Sequence, residues 1–110
     1  TSASLAASMG GLLTIAKSPD IARRHPSMDI LLICPQPSLE SGIFADSLMG
    51  AAQNFVDLPA HYAALAAHWN IGFLDAGRHI SSCTEDGVHF DATSHKTLGL
   101  AVADAITSRS

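Results

Sequence analysis

The spacing of apolar positions changes along the chain, and each change marks an element. From Ala3 to Lys17, residues Leu5, Met9, Leu12, Leu13 and Ala16 recur at helical period and predict one helix with an apolar stripe. Gly10-Gly11 weakens that helix by roughly 1 kcal/mol per glycine relative to alanine. Ser18-Pro19 reads as its end, and residues 21–26, with Arg23, Arg24 and His25, read as a solvated connection rather than a phosphate site. Asp29–Cys34 is a continuous branched apolar run closed by Pro35-Gln36-Pro37, the pattern of a parallel strand covered on both faces. Residues 35–50 mix Pro, Ser and Gly with Leu39, Ile43, Phe44 and Leu48, a connection long enough to expect a functional loop.

The period then returns to helical. Leu58, Tyr62, Leu65, Ala66 and Trp69 share one face of a helix over 57–69, with Pro59 in its first turn or at a kink and Asn70 at its end. Ile71–Asp75 is a second strand, and Gly77 opens a loop that runs to Asp91. Asp91 is a good N-cap for a last helix to about Thr107, with Leu98, Ala101, Val102, Ala105 and Ile106 expected inward. Helix, strand, helix, strand, helix is the order of a doubly wound α/β chain with parallel strands and right-handed crossovers. Two strands are too few for an independent sheet, so the expectation is half of one, with the other half in polypeptide outside this sequence.

Composition sharpens that expectation. The 110 residues suffice for one domain, and 47% hydrophobic against 15% charged residues is apolar enough to suggest that part of the surface is covered by something else. A net charge of −4 with scattered Lys and Arg argues against nucleic-acid or anionic-membrane partners. No run reaches the ~18 residues of a membrane span, and residues 1–9 lack the basic and apolar regions of a signal peptide. The absence of an initiator Met suggests a start within a longer polypeptide. Cys34 and Cys83 are not in metal or redox spacing and read as two separate buried thiols, with a single bridge as the alternative.

The chemistry concentrates in the loop 83–95. Asp86-Gly87-Val88-His89 sets a carboxylate three residues before an imidazole, so that the acid can hold one ring nitrogen while the other stays free, the relation of an orienting acid to a general base. Ligands of open α/β sheets sit beyond the carboxyl ends of the strands, and the loops after Cys34 and Asp75 both leave from that edge. Taken alone, Asp-x-x-His is also an ordinary turn beside a surface histidine. Asp86, His89, Asp91 and His95 admit a metal reading, but a helix cap and a packed imidazole account for the last two. Asp57/His61 and Asp75/His79 read as surface pairs, and Thr1 precedes a helix rather than the buried strand an N-terminal nucleophile needs.

The block from Asp86 to Ala101, Asp-Gly-Val-His-Phe-Asp-Ala-Thr-Ser-His-Lys-Thr-Leu-Gly-Leu-Ala, resembles the last block of the SGNH hydrolases, or GDSL esterases. Ile71–Ala76 and the Pro-rich strand exit Leu32–Pro37 are similar to the last two strands of that family, the latter to its arylesterase-like members. The resemblance implies the C-terminal half of a flavodoxin-like, three-layer α/β/α sheet. In it His89 would be the general base and Asp86 its orienting acid, acting on small esters without a cofactor or metal. It further implies that residues 1–110 are the C-terminal part of a single domain, with the N-terminal half as the missing or separate partner. The family's Gly-Asp-Ser nucleophile and Gly-x-Asn oxyanion motif do not occur: Asp46-Ser47 lacks the glycine and a preceding strand, and Asn54 lacks the Gly-x context. A dyad without its serine and oxyanion donors keeps little of the ~10⁶-fold acceleration of a full set, so this chain alone is expected to be inactive. A non-catalytic module that pairs its sheet edge with another chain accounts for the apolar composition but not for the Asp86–His89 block.

Overall fold

The computed structural model describes residues 1–46 and 49–109; Ser47 and Leu48, both named above, lie outside the described residues. Among the described residues, four α-helices and two strands are arranged in the order α1 (Ser2–Ala16), α2 (Pro19–Arg24), β1 (Leu31–Cys34), α3 (Leu58–Trp69), β2 (Gly72–Asp75) and α4 (Ala92–Arg109). Short 3-10 turns at Gly42–Phe44, Ala51–Phe55 and Ala76–Arg78 punctuate the loops. β1 and β2 pair in parallel, with Leu32 opposite Phe73 and Cys34 opposite Asp75. The two-stranded parallel sheet with helices around it is the α/β arrangement expected from the apolar pattern, with one helix more.

That extra helix is α2. Ser18-Pro19 ends α1, but the same pair starts the next helix: the Ser18 side chain caps the Ile21 amide and Pro19 occupies the first turn. Arg23 and Arg24 both reach back to Asp20, at 2.6 and 3.1 Å, so the basic pair sits on an exposed helix surface and not in a loop.

Alternation along the strands decides what each helix covers. Leu32 and Cys34 point to one side, where they join Leu58, Tyr62 and Ala66 of α3, with Phe73 of β2 packed against them. α1 lies on the outer surface of α3 and closes this core with Ala6 and Leu13. The buried face of α1 is therefore Ser2, Ala6 and Leu13, with Met9 partly covered, whereas Leu5 and Leu12 of the predicted stripe are exposed. Ser2 earns its place by donating to the Asn54 carbonyl. On α3 the predicted face is the buried one; Pro59 sits in the first turn, and Asn70 ends the helix in the left-handed conformation at φ 53°.

Among the described residues, α4 lies on the other side of the sheet. Its C-terminal Arg109 lies over Gly72 and forms a two-pronged ion pair with Asp29, at 2.9 and 2.8 Å. Leu98, Ala101, Val102 and Ala105 of α4 are only half-buried and Ile106 is exposed, so the inward face expected from the sequence is correct in direction but buries no residue fully. α4 packs more on β2 than on β1, and Ile33 of β1 remains 37% exposed.

Candidate active site

Both long loops leave the carboxyl ends of the strands, β1 into residues 35–50 and β2 into 76–91, so they meet at one edge of the sheet. There the turn 83–89 is tied into a compact knot. Cys83 N–H donates to the His89 carbonyl at 2.6 Å and Gly87 N–H to the Cys83 carbonyl at 2.8 Å. Gly87 has φ +76°, a conformation that favours glycine, and this reversal brings the Asp86 carboxylate back over the following amides.

Asp86 is the hub. Its Oδ1 accepts from the Val88 and His89 amides at 2.8 and 2.9 Å, and from the Cys83 thiol at 3.4 Å. Its Oδ2 lies 2.6 Å from His89 Nδ1. The amide of Val88 above all, then the imidazole and amide of His89, hold this carboxyl well below the usual carboxylate range. It is therefore an anion at neutral pH and fixes the ring so that Nδ1 faces it. The His89 side chain is 76% exposed, and among the described residues none bonds its Nε2. An imidazole with one nitrogen bound to a carboxylate and the other open is equipped to take a proton from an incoming hydroxyl.

The remaining sequence candidates disperse. Asp91 caps α4, accepting from the Ser94 amide at 2.8 Å, which lowers its carboxyl pKa, and His95 packs on Phe90 with ring centroids 4.2 Å apart. Among the described residues no group of three or more His, Cys, Asp or Glu is gathered as a metal would need, so the four residues of the metal reading do not come together. Asp75 accepts from Gly77 N–H, capping the turn after β2, and Thr1 caps α1 through Ser4. Both cysteines are free; Cys34 is fully buried, but Cys83 is only half-buried because it belongs to the knot. Burial first, then the Asp75 carboxylate, pushes the Cys34 thiol up to about 11.

Two open cavities run along this edge. One, of about 860 Å³, is lined by Arg78, His79, Ser82, Asp86, His89 and Phe90. The other, of about 370 Å³, lies between Pro35, Pro37, Phe55, Val56 and Arg78. Arg78, Ser82 and Gln36 border or brace the site without having stood out in the sequence, and Cys83, read there only as a buried thiol, joins them. Their signal is position after the fold, since serine, glutamine or cysteine in a loop carries no spacing rule of its own.

No protein-family model matches this sequence, nor does any curated protein. Solved structures do. A carbohydrate acetylesterase from Sinorhizobium meliloti superposes over 100% of the chain with a TM-score of 0.90 at 27% identity, and the chain covers 53% of it. The native aryl esterase of M. smegmatis matches 98% of the chain, with a TM-score of 0.80 at 27% identity, and is covered to 52%. Its inhibitor-bound form aligns over 73% of the chain at 32% identity with a TM-score of 0.66, and is covered to 38%. The chain thus spans about half the length of esterase structures whose fold it shares, and it resembles them as a C-terminal fragment of an SGNH hydrolase would.

Proposed function

We propose that this chain is the C-terminal part of a single SGNH-type domain and supplies the general base, His89, and its orienting acid, Asp86, to a serine ester hydrolase. The observation that carries this reading is the 2.6 Å contact between Asp86 Oδ2 and His89 Nδ1 on a ring that is otherwise 76% exposed at the carboxyl edge of the strands. Likeness to a carbohydrate acetylesterase and an aryl esterase supports small carboxylic esters as the substrate class.

In the completed enzyme a serine hydroxyl from the N-terminal half attacks the ester carbonyl carbon while His89 Nε2 takes its proton. The tetrahedral intermediate collapses, His89 returns that proton to the departing alcohol, and the acyl group stays on the serine. A water molecule, deprotonated in turn by His89, releases the acid and the free serine. Asp86 remains ionised throughout and favours the imidazolium that forms at each step. The depressed pKa of its carboxyl suits that role.

The partner in this reading is the N-terminal half of the same domain, joined or separate. Among the described residues β1 pairs only with β2, which leaves its other edge able to continue a parallel sheet. The test is reconstitution with the matching N-terminal half of such an esterase, assayed on p-nitrophenyl acetate. Hydrolysis that falls on the order of 10⁴-fold in His89→Ala is expected. Tight association without His89-dependent turnover would overturn the reading.

A further inference from the structure

The carbonyl of Val88, the residue just before His89, is a meeting point of side chains. Gln36 Nε2 donates to it at 3.1 Å, and Ser82 Oγ lies 3.3 Å away. Ser82 Oγ is also 2.8 Å from the Pro37 carbonyl. A hydroxyl has a single proton, so Ser82 shares it between the segment leaving β1 and the peptide that leads into His89. Ser82 is 5% exposed, and this hydroxyl is kept from water where the two loops cross.

Further bonds run in step alongside. Leu39 N–H donates to the Gly87 carbonyl at 2.7 Å and Ile43 N–H to the Glu85 carbonyl at 2.9 Å, and Ser41 Oγ donates to the Thr84 carbonyl at 3.4 Å. Gly42, between the last two donors, has φ +75°, and a Cβ there would run into the Glu85 and Thr84 carbonyl oxygens. Only glycine lets the two loops lie this close.

From this we infer that residues 36–43 form a brace that aims the His89 imidazole, with Gln36, Ser82 and Gly42 as positioning residues. The Val88–His89 peptide is gripped at both ends of its dipole: its N–H by Asp86 Oδ1, its carbonyl by Gln36 and Ser82. A peptide unit is planar, so fixing its oxygen and nitrogen fixes the direction in which the His89 backbone enters. The ring itself is 76% exposed, so neighbouring side chains do little to hold it, and the backbone grip and Asp86 carry the orientation. Catalysis is sensitive to such aim, since a displacement of ~1 Å from a distant change can cost ~10²-fold in rate. The inference rests on the proposed function for its kinetic consequence, but its geometry stands independently.

The first measurement is made on the 110-residue chain in mildly alkaline buffer. Ring nitrogen shifts, read by NMR through the carbon-bound protons, report which nitrogen carries the proton. The unaltered chain is expected to hold the Nδ1-protonated tautomer against Asp86. Gln36→Met keeps the length and volume of a partly exposed side chain and removes only the donor. It is expected to keep the circular dichroism of the parent while mixing the His89 tautomers, as is Gly42→Ala. Ser82→Ala is expected to do more, and Ser82→Thr, which restores the hydroxyl, to reverse it. In the reconstituted enzyme, Gln36→Met and Ser82→Ala are expected to lower kcat ~10- to 100-fold with KM within ~2-fold.

A His89 ring whose tautomer, and whose kcat, ignores Gln36→Met and Ser82→Ala while turnover still requires His89 would overturn the brace and leave the esterase reading standing. A tautomer that shifts in these variants, in a reconstituted protein that never hydrolyses esters, would support the brace and overturn the esterase reading.

Discussion

The two sides of the small sheet are built on different principles. On one, α3 lies directly on Leu32 and Cys34 and α1 seals the outside, so Leu58 is 1% and Ala66 2% exposed. On the other, α4 covers β2 without burying a residue of its own, and its end is fastened by the charged clamp of Arg109 on Asp29. The first side is a finished hydrophobic core in which each methylene matters; the second is a surface in which direction and charge do more than packing. The Asp86–His89 turn belongs with the second kind, since hydrogen bonds to Asp86 hold it and not apolar contact.

The largest expected effect is on the packed side. Leu58→Ala removes a fully buried side chain and is expected to cost ~2–5 kcal/mol in denaturant unfolding, whereas Leu98→Ala on half-buried α4 costs about 1 kcal/mol or less. Equal losses would show that α4 is as tightly packed as α3.

Acid separates the two sides next. Arg109 holds Asp29 at about 2, and Asp86 and Asp91 are lowered too, all from an ordinary 3.8. Each folded value lies below the unfolded one, so these groups contribute stability in full above pH 3.8 and lose it as pH falls through the folded values. Between pH 3.8 and about 2, protection against hydrogen exchange, relative to the unfolded chain at the same pH, is expected to fall in α4 and in residues 83–91 before α1 and α3. Simultaneous loss everywhere would show that one cooperative unit spans both sides.

The smallest effect is at the thiols. Iodoacetamide at pH 8 is expected to label half-buried Cys83 at least ~10-fold faster than Cys34, whose thiol is buried and raised to about 11. Matched rates would show that the packed side opens as readily as the turn.

The fold is legible in the residues where one face dominates. The 58–69 helix, the parallel pair and the Asp86–His89 contact all follow from period, order and spacing. α2 was hidden because Ser18-Pro19 is at once a stop and a start signal, and six residues are too few to show a period. The packed face of α1 is hard to read from the sequence because small residues form it: Ser2 and Ala6 pack closely on their neighbours while the larger Leu5 and Leu12 stay outside. The link from Gln36 and Ser82 to Val88 was illegible because a backbone carbonyl looks alike in every residue, so nothing in the side-chain order announces where it will be met.

Asp-Gly sequences age by a slow ring closure, in which the glycine nitrogen attacks the aspartyl side chain and leaves a rearranged backbone. In the folded turn the Gly87 N–H is committed to the Cys83 carbonyl, and the Asp86 carboxyl is ionised and held by its neighbours, so neither reactant is available. The knot that holds Asp86 against His89 therefore also preserves it: the folded protein keeps a chemically fragile dipeptide intact where its carboxylate is tied to the imidazole.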